Sequence, residues 1–154
     1  MQKAPRQIMF TNEGYQKVKD EFERLTQKRK EAITSLQRAR EMGDLSENGA
    51  YKAARFTLSD IDRQLRWLKY QIHFGVVTKA THTGRIGFGN TVTIKNDKGS
   101  IEFMLVDGFE SNPRDKKLSV HSPIGRAVVG KKVGQTVVVT APKGTTEYMI
   151  TSLE

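Results

Sequence analysis

Two carboxylates stand three residues apart in the stretch Arg40-Glu41-Met42-Gly43-Asp44-Leu45-Ser46-Glu47-Asn48. Asp44 and Glu47 at that spacing admit two kinds of chemistry. One is structural: Asp-x-x-Glu has capping-box spacing, with Asp44 accepting from the backbone N–H three residues on while Glu47 reaches back. Acidic residues are also favoured at a helix N-terminus by the macrodipole. The other is ligation of a hard divalent cation. Mg2+ takes one or two protein carboxylates and fills its shell with water or substrate oxygens. Two carboxylates do not make a complete site, so a partner would have to supply the rest.

Basic residues lie behind this pair. Arg38, Arg40, Lys52 and Arg55 fall within about three helical turns of it, and Arg24, Lys28, Arg29 and Lys30 form a second group further back. A run of charge on a helix is ordinarily a solvated face. A basic collar behind an acidic tip would also suit contact with a phosphate backbone. The formal charge of +9 favours an anionic partner, whether nucleic acid, an acidic protein groove or a membrane surface. The excess is spread over both halves, and no basic tail stands apart.

Enzyme templates are missing. The chain has no P-loop, no dinucleotide-binding glycine motif in a βαβ unit and no H-E-x-x-H. His73, His82 and His121 lack metal-ligand spacing and pair with no nucleophile. The glycine-rich stretch 84–89 sits between strand-like segments and reads as a turn. The absence of cysteine removes thiol catalysis, disulfides and cysteine-ligated metal, and is compatible with a reducing cytoplasm. No signal-peptide core or membrane-length apolar run is present, so a soluble cytoplasmic protein is expected, with no membrane partner and no small-molecule substrate.

The elements that must carry these residues can be read from periodicity. Thr11 is a candidate N-cap. Beyond it Tyr15, Val18, Phe22, Leu25, Ala32, Leu36 and Ala39 alternate spacings of three and four, with Arg29 in the one slot that breaks the series. This is a heptad seam, interrupted at Gly43. A second seam, Tyr51, Ala54, Leu58, Ile61, Leu65, Leu68 and Ile72, ends before Gly75. Two seams so closely joined must fold back as an antiparallel coiled-coil hairpin, with arms of roughly 45 Å. After Gly75 the period becomes two. Residues 91–94 and 101–106 flank a hairpin turn at 96–99, 118–120 suggests a short strand, and Ser122-Pro123 opens a short helix to about residue 129. Residues 135–140 and 145–153 make a last strand pair. The expected class is α+β.

At Gly43-Asp44-Leu45-Ser46-Glu47-Asn48-Gly49-Ala50-Tyr51-Lys52-Ala53-Ala54-Arg55 the sequence closely resembles the bacterial Gre transcript-cleavage factors, GreA and GreB. The resemblance extends through Ile86-Gly87-Phe88-Gly89-Asn90-Thr91-Val92 and Ser119-Val120-His121-Ser122-Pro123-Ile124-Gly125-Arg126-Ala127, and so covers nearly the whole chain. Ala53-Ala54-Arg55 is similar to GreA, and Ile61 to Leu68 is more similar to GreB; the balance leans to GreA.

The resemblance implies a hairpin over residues 1–75 and an FKBP-like domain over 76–154, without isomerase function, that docks on the rim of RNA polymerase through Ser119, Ser122, Pro123 and Ile124. It implies that the hairpin enters the polymerase secondary channel and meets polymerase and the backtracked RNA 3′ end through Arg40, Ser46, Asn48, Tyr51 and Arg55. Lys28, Arg29, Arg38 and Lys52 would form its basic patch. Asp44 and Glu47 would help hold a second Mg2+ in the polymerase active centre and position the attacking water, so that the polymerase hydrolyses its own RNA. The protein would then be an accessory factor, not an enzyme, with no cofactor bound alone. Two alternatives stay open: a channel-binding inhibitor on the same scaffold, and a general basic hairpin that binds nucleic acid or acts as a chaperone. One departure bears on cleavage efficiency. The family's usual Asn-Ala-Glu-Tyr reads Asn48-Gly49-Ala50-Tyr51 here, losing an acidic residue, and Gly49 weakens the first helical turn by up to ~1 kcal/mol.

Overall fold

The computed structural model describes residues 6–43 and 47–154, which divide into two compact units. Tyr15–Gly75 makes the first, and Arg6–Gly14 together with Val76–Glu154 makes the second. Residues 6–14 therefore depart from the expected division at residue 75. The reason is a strand that the sequence reading passed over: β1 (Ile8–Phe10) pairs with β2 (Gly75–Val77), and it buries Ile8 and Phe10 on either side of half-buried Met9.

The first unit holds two long helices, α1 (Asn12–Arg40, whose first three residues belong to the second unit) and α2 (Gly49–Phe74). Every seam position of both helices is buried or half-buried, with Leu25, Ala32, Ala39 and Ile61 the most enclosed. Three contacts fix the sense of pairing. Tyr15 donates its hydroxyl to the Ile72 carbonyl at 3.0 Å, Arg29 meets Asp62 at 2.5 Å, and Asn48 donates to the Ala39 carbonyl at 2.7 Å. Partners rising along α1 fall along α2, so the pair is antiparallel. Arg29 keeps its place in an apolar seam by lying along the helix and handing its guanidinium to Asp62.

In the second unit, β3 (Thr91–Asn96), β4 (Gly99–Val106), β5 (Lys117–Ser119), β6 (Thr136–Ala141) and β7 (Gly144–Leu153) form one sheet in the order β5-β4-β3-β7-β6. Only the β4–β5 pairing is parallel. Strand alternation puts Val92, Ile94, Phe103, Leu105, Val137 and Ile150 on one buried face, and Val128 of helix α3 (Pro123–Val128) joins that core. The Ser122 hydroxyl caps α3 and proline occupies its first turn, as expected. Gly125 lets α3 lie against the end of β5: a Cβ there would stand 2.2 Å from the Ser119 carbonyl oxygen.

Two buried carboxylates from the segment after β4 hold β1 and the start of α1. Asp107 accepts from Met9 N at 3.4 Å, and Glu110 accepts from Thr11 N at 2.9 Å and from its hydroxyl at 2.5 Å. The Thr11 hydroxyl in turn accepts from Gly14 N at 3.0 Å, the expected N-cap. No helix among the described residues is long and apolar enough to cross a membrane.

Candidate functional site

The end of the hairpin is built by Asn48. Its Oδ1 accepts from Tyr51 N at 3.1 Å, which makes it the N-cap of α2. Its Nδ2 donates across the hairpin to the Ala39 carbonyl, which also accepts from Met42 N at 3.3 Å. One side chain therefore satisfies an orphan donor at the start of α2 and an orphan acceptor at the end of α1. Gly43 follows in a positive-φ conformation, φ 131°, that side-chain-bearing residues avoid.

This cap corrects the capping-box expectation for Glu47. In a capping box the acidic partner is the third residue of the helix, and here that residue is Tyr51. Glu47 precedes the cap, is exposed, and takes no part in it. Asp44 and Ser46 lie outside the described residues. Among the described residues, no group of three or more His, Asp or Glu side chains comes together to hold a metal ion.

The basic collar comes together at this end of the hairpin. Arg38 and Arg40 stand in the last turn of α1, Lys52 and Arg55 in the first two turns of α2, and all four are exposed. None of the four joins an ion pair among the described residues. The Arg40 guanidinium lies 5.8 Å from the centre of the Tyr51 ring, a cation–π distance that also links the helices. The group further back is weaker than its sequence suggests. Arg29 is held by Asp62, and Arg24 makes two hydrogen bonds to Glu21, which hold that carboxyl below the usual carboxylate range. Lys28 and Lys30 remain exposed there.

The residues of the expected docking segment form the corner between β5 and α3. The Ser119 carbonyl accepts from Ser122 N at 3.0 Å and from its hydroxyl at 2.7 Å, and the Ser119 hydroxyl accepts from His121 N at 3.0 Å. Ser122 Oγ accepts from Gly125 N, and half-buried Ile124 packs against the core. Pro123 and His121 remain exposed on this corner, beside a shallow depression that includes Arg126, Ala127, Val138 and Thr140.

Comparison with known proteins gives consistent matches along the chain. A family model described as "Transcription elongation factor, N-terminal" matches residues 8–77, and one described as "Transcription elongation factor, GreA/GreB, C-term" matches residues 80–154. The transcription elongation factor GreA of Thermosipho africanus is 39% identical over 150 residues, covering 96% of both chains. GreA of Maridesulfovibrio salexigens is also 39% identical, covering 95% of this chain and 94% of its own. Among solved structures, that of the transcription factor Gfh1 aligns with 98% of this chain and 99% of its own at 25% identity, with a TM-score of 0.49.

Proposed function

The chain belongs to the GreA/GreB family of transcription elongation factors, and we propose that it works as an accessory factor of RNA polymerase, stimulating the polymerase to hydrolyse its own backtracked RNA. The observation that carries this reading is the position of Glu47. Capping of α2 falls to Asn48, so the Glu47 carboxylate stands exposed at the end of the hairpin with no structural task in the cap. At ~1.5 Å per residue, helices of this length give arms of roughly 40 Å, enough to carry a tip into a narrow channel.

The donor chemistry fits a shared Mg2+ site and no complete one. Asp44 and Glu47 offer hard oxygen ligands suited to Mg2+, and polymerase groups would have to complete the shell. When bound, the ion would supply Lewis-acid stabilisation and activation of a water molecule. This chain's own residues position. Asn48 ties the start of α2 to the end of α1, and Arg40 and Tyr51 add a cation–π contact between the same two ends. The exposed collar of Arg38, Arg40, Lys52 and Arg55 would attract the RNA phosphates. The β5–α3 corner, with Ser119, Ser122, Pro123 and Ile124, would rest on the polymerase rim.

The test uses a stalled, backtracked elongation complex carrying labelled RNA. Adding the protein with Mg2+ is expected to shorten the transcript and restore elongation, while the protein alone leaves the same RNA intact. Cleavage of naked RNA by the protein alone, or an unchanged transcript in the complex, would overturn the reading.

A further inference from the structure

The two edges of the five-stranded sheet are finished differently. β5 is three residues long, its Lys117 is tied to Glu110, and Lys117 exchanges two backbone hydrogen bonds with Asn112. That edge is short, charged and covered, as exposed edges usually are. β6, at the opposite edge, reads Thr136-Val137-Val138-Val139-Thr140-Ala141: five β-branched residues in a row, with no charge, proline or glycine. A strand of this composition left open invites pairing with another chain. β6 is open along one side. The Ala141–Gly144 pair closes the turn to β7, and the Gln135 carbonyl accepts from Ile150 N at 2.9 Å. The odd-numbered residues of β6 therefore bond to β7, and Thr136, Val138 and Thr140 aim their N–H and C=O groups away from the sheet. Among the described residues nothing bonds to those groups, and Val138 is 53% exposed.

What could pair with this edge is set by charge. Between Asp115 and Glu147 the chain carries Lys116, Lys117, Arg126, Lys131, Lys132 and Lys143 and no Asp or Glu. Lys116 and Lys117 pair with Glu102 and Glu110. The other four are exposed and outside every ion pair among the described residues. Lys131 and Lys132 precede β6, Lys143 stands in the turn that follows it, and Arg126 of α3 shares a depression with Val138 and Thr140. Glu147, opposite Val138, stands one strand in from the edge. A second copy of this chain paired edge to edge would set these cations against one another. In the antiparallel sense the lysines before β6 meet the one after it; in the parallel sense each meets its own counterpart. An incoming strand that bears carboxylates satisfies both features, bringing backbone partners to the open edge and negative charge to its ends. We infer that the β6 edge is a strand-addition site for an extended acidic segment of a partner protein. Neither the acidic tip nor RNA cleavage enters into it.

The test uses the full-length protein and synthetic peptides of about eight residues. A peptide of alternating glutamate and valine should bind, and salt should weaken it. The same peptide methylated at every backbone nitrogen keeps the charge and loses the donors; a lysine–valine peptide keeps the donors and reverses the charge. Each should bind at least about tenfold more weakly. Amide hydrogen exchange reports on the edge directly. The glutamate–valine peptide should slow exchange at Val138 and Thr140, while Val137 and Val139, already bonded to β7, stay protected with or without it. Val138→Pro removes an outward donor and spares the ladder to β7, so it should abolish peptide binding; the exchange pattern of the native protein decides even if that variant folds poorly. Lys132→Gln combined with Lys143→Gln should flatten the salt dependence. A glutamate–valine peptide that does not bind, a methylated peptide that binds equally, or unchanged exchange at Val138 and Thr140 would overturn the inference. So would a dimer of the protein alone, seen in sedimentation and dissociated by Val138→Pro, since the edge would then belong to a second copy.

Discussion

Asn48 donates from Nδ2 to the Ala39 carbonyl at 2.7 Å, tying the start of one long helix to the end of the other through a single amide. The same side chain accepts from Tyr51 N, so the end of α1 and the start of α2 are joined by a residue that carries no charge. That separation frees the neighbouring carboxylate of Glu47 from holding the fold.

Asparagine at position 48 should therefore be hard to replace. Asn48→Asp keeps the acceptor for Tyr51 N and loses the donor to Ala39; Asn48→Ala loses both. Thermal unfolding should rank the proteins native, then Asp, then Ala, with the alanine variant destabilised by ~1–2 kcal/mol. An aspartate variant as stable as the native protein would show that the cross-hairpin bond contributes nothing.

Two glycines should respond in opposite directions to the same substitution. Gly49 opens α2 with nothing within 4 Å of a built Cβ and no positive φ, so Gly49→Ala should stabilise the protein by ~0.4–1 kcal/mol. At Gly125 the added methyl would meet the Ser119 carbonyl oxygen and the Val120 backbone, and Gly125→Ala should cost ~1–3 kcal/mol. Denaturant midpoints of the two variants check both signs.

The hairpin was legible in the sequence because its signal is long and redundant: fifteen seam positions (Arg29 included) repeat the same rule, so the one polar slot could not hide it. Arg29 read as a basic patch residue because nothing in its own helix reveals Asp62, thirty-three residues on. The strands of the second unit were legible from alternation and turn residues to within a residue or two. β1 was not, since three residues beside a charged terminus carry too little pattern, and the carboxylates that accept from Met9 N and Thr11 N, Asp107 and Glu110, lie about a hundred residues away. At the tip, spacing alone made Asp44 and Glu47 look like a box; which residue caps α2 is decided by where the helix starts, and that boundary falls one residue beyond Asn48. The exposed Phe56, Trp67 and Tyr70 went unmarked because they fall off the seam, where periodicity gives no reason to look.

Neutralising the collar should act through salt dependence and leave the fold alone. Arg38, Lys52 and Arg55 are exposed and outside every ion pair among the described residues, so replacing them by glutamine should leave the melting temperature nearly unchanged, while Arg40→Gln also loses the cation–π contact with Tyr51 and should cost ~0.5–1 kcal/mol. If they meet RNA phosphates, stimulation of cleavage should weaken and its dependence on salt concentration should flatten. An unchanged salt profile would make them ordinary solvated surface.

The acidic pair is expected to act on the reaction and not on the fold. This is tested by comparing Asp44→Asn and Glu47→Gln with the native protein for thermal stability, polymerase binding and the rate of transcript cleavage in a backtracked complex. The Asn48 cap remains intact in the Glu47→Gln variant, so its stability and binding should match the native protein. Its cleavage rate should fall by about a hundredfold or more, a loss of ~2.7 kcal/mol of transition-state stabilisation. Asp44→Asn should show the same fall in rate, with raised Mg2+ restoring part of the activity of each variant. Native cleavage rates in both variants would contradict the account.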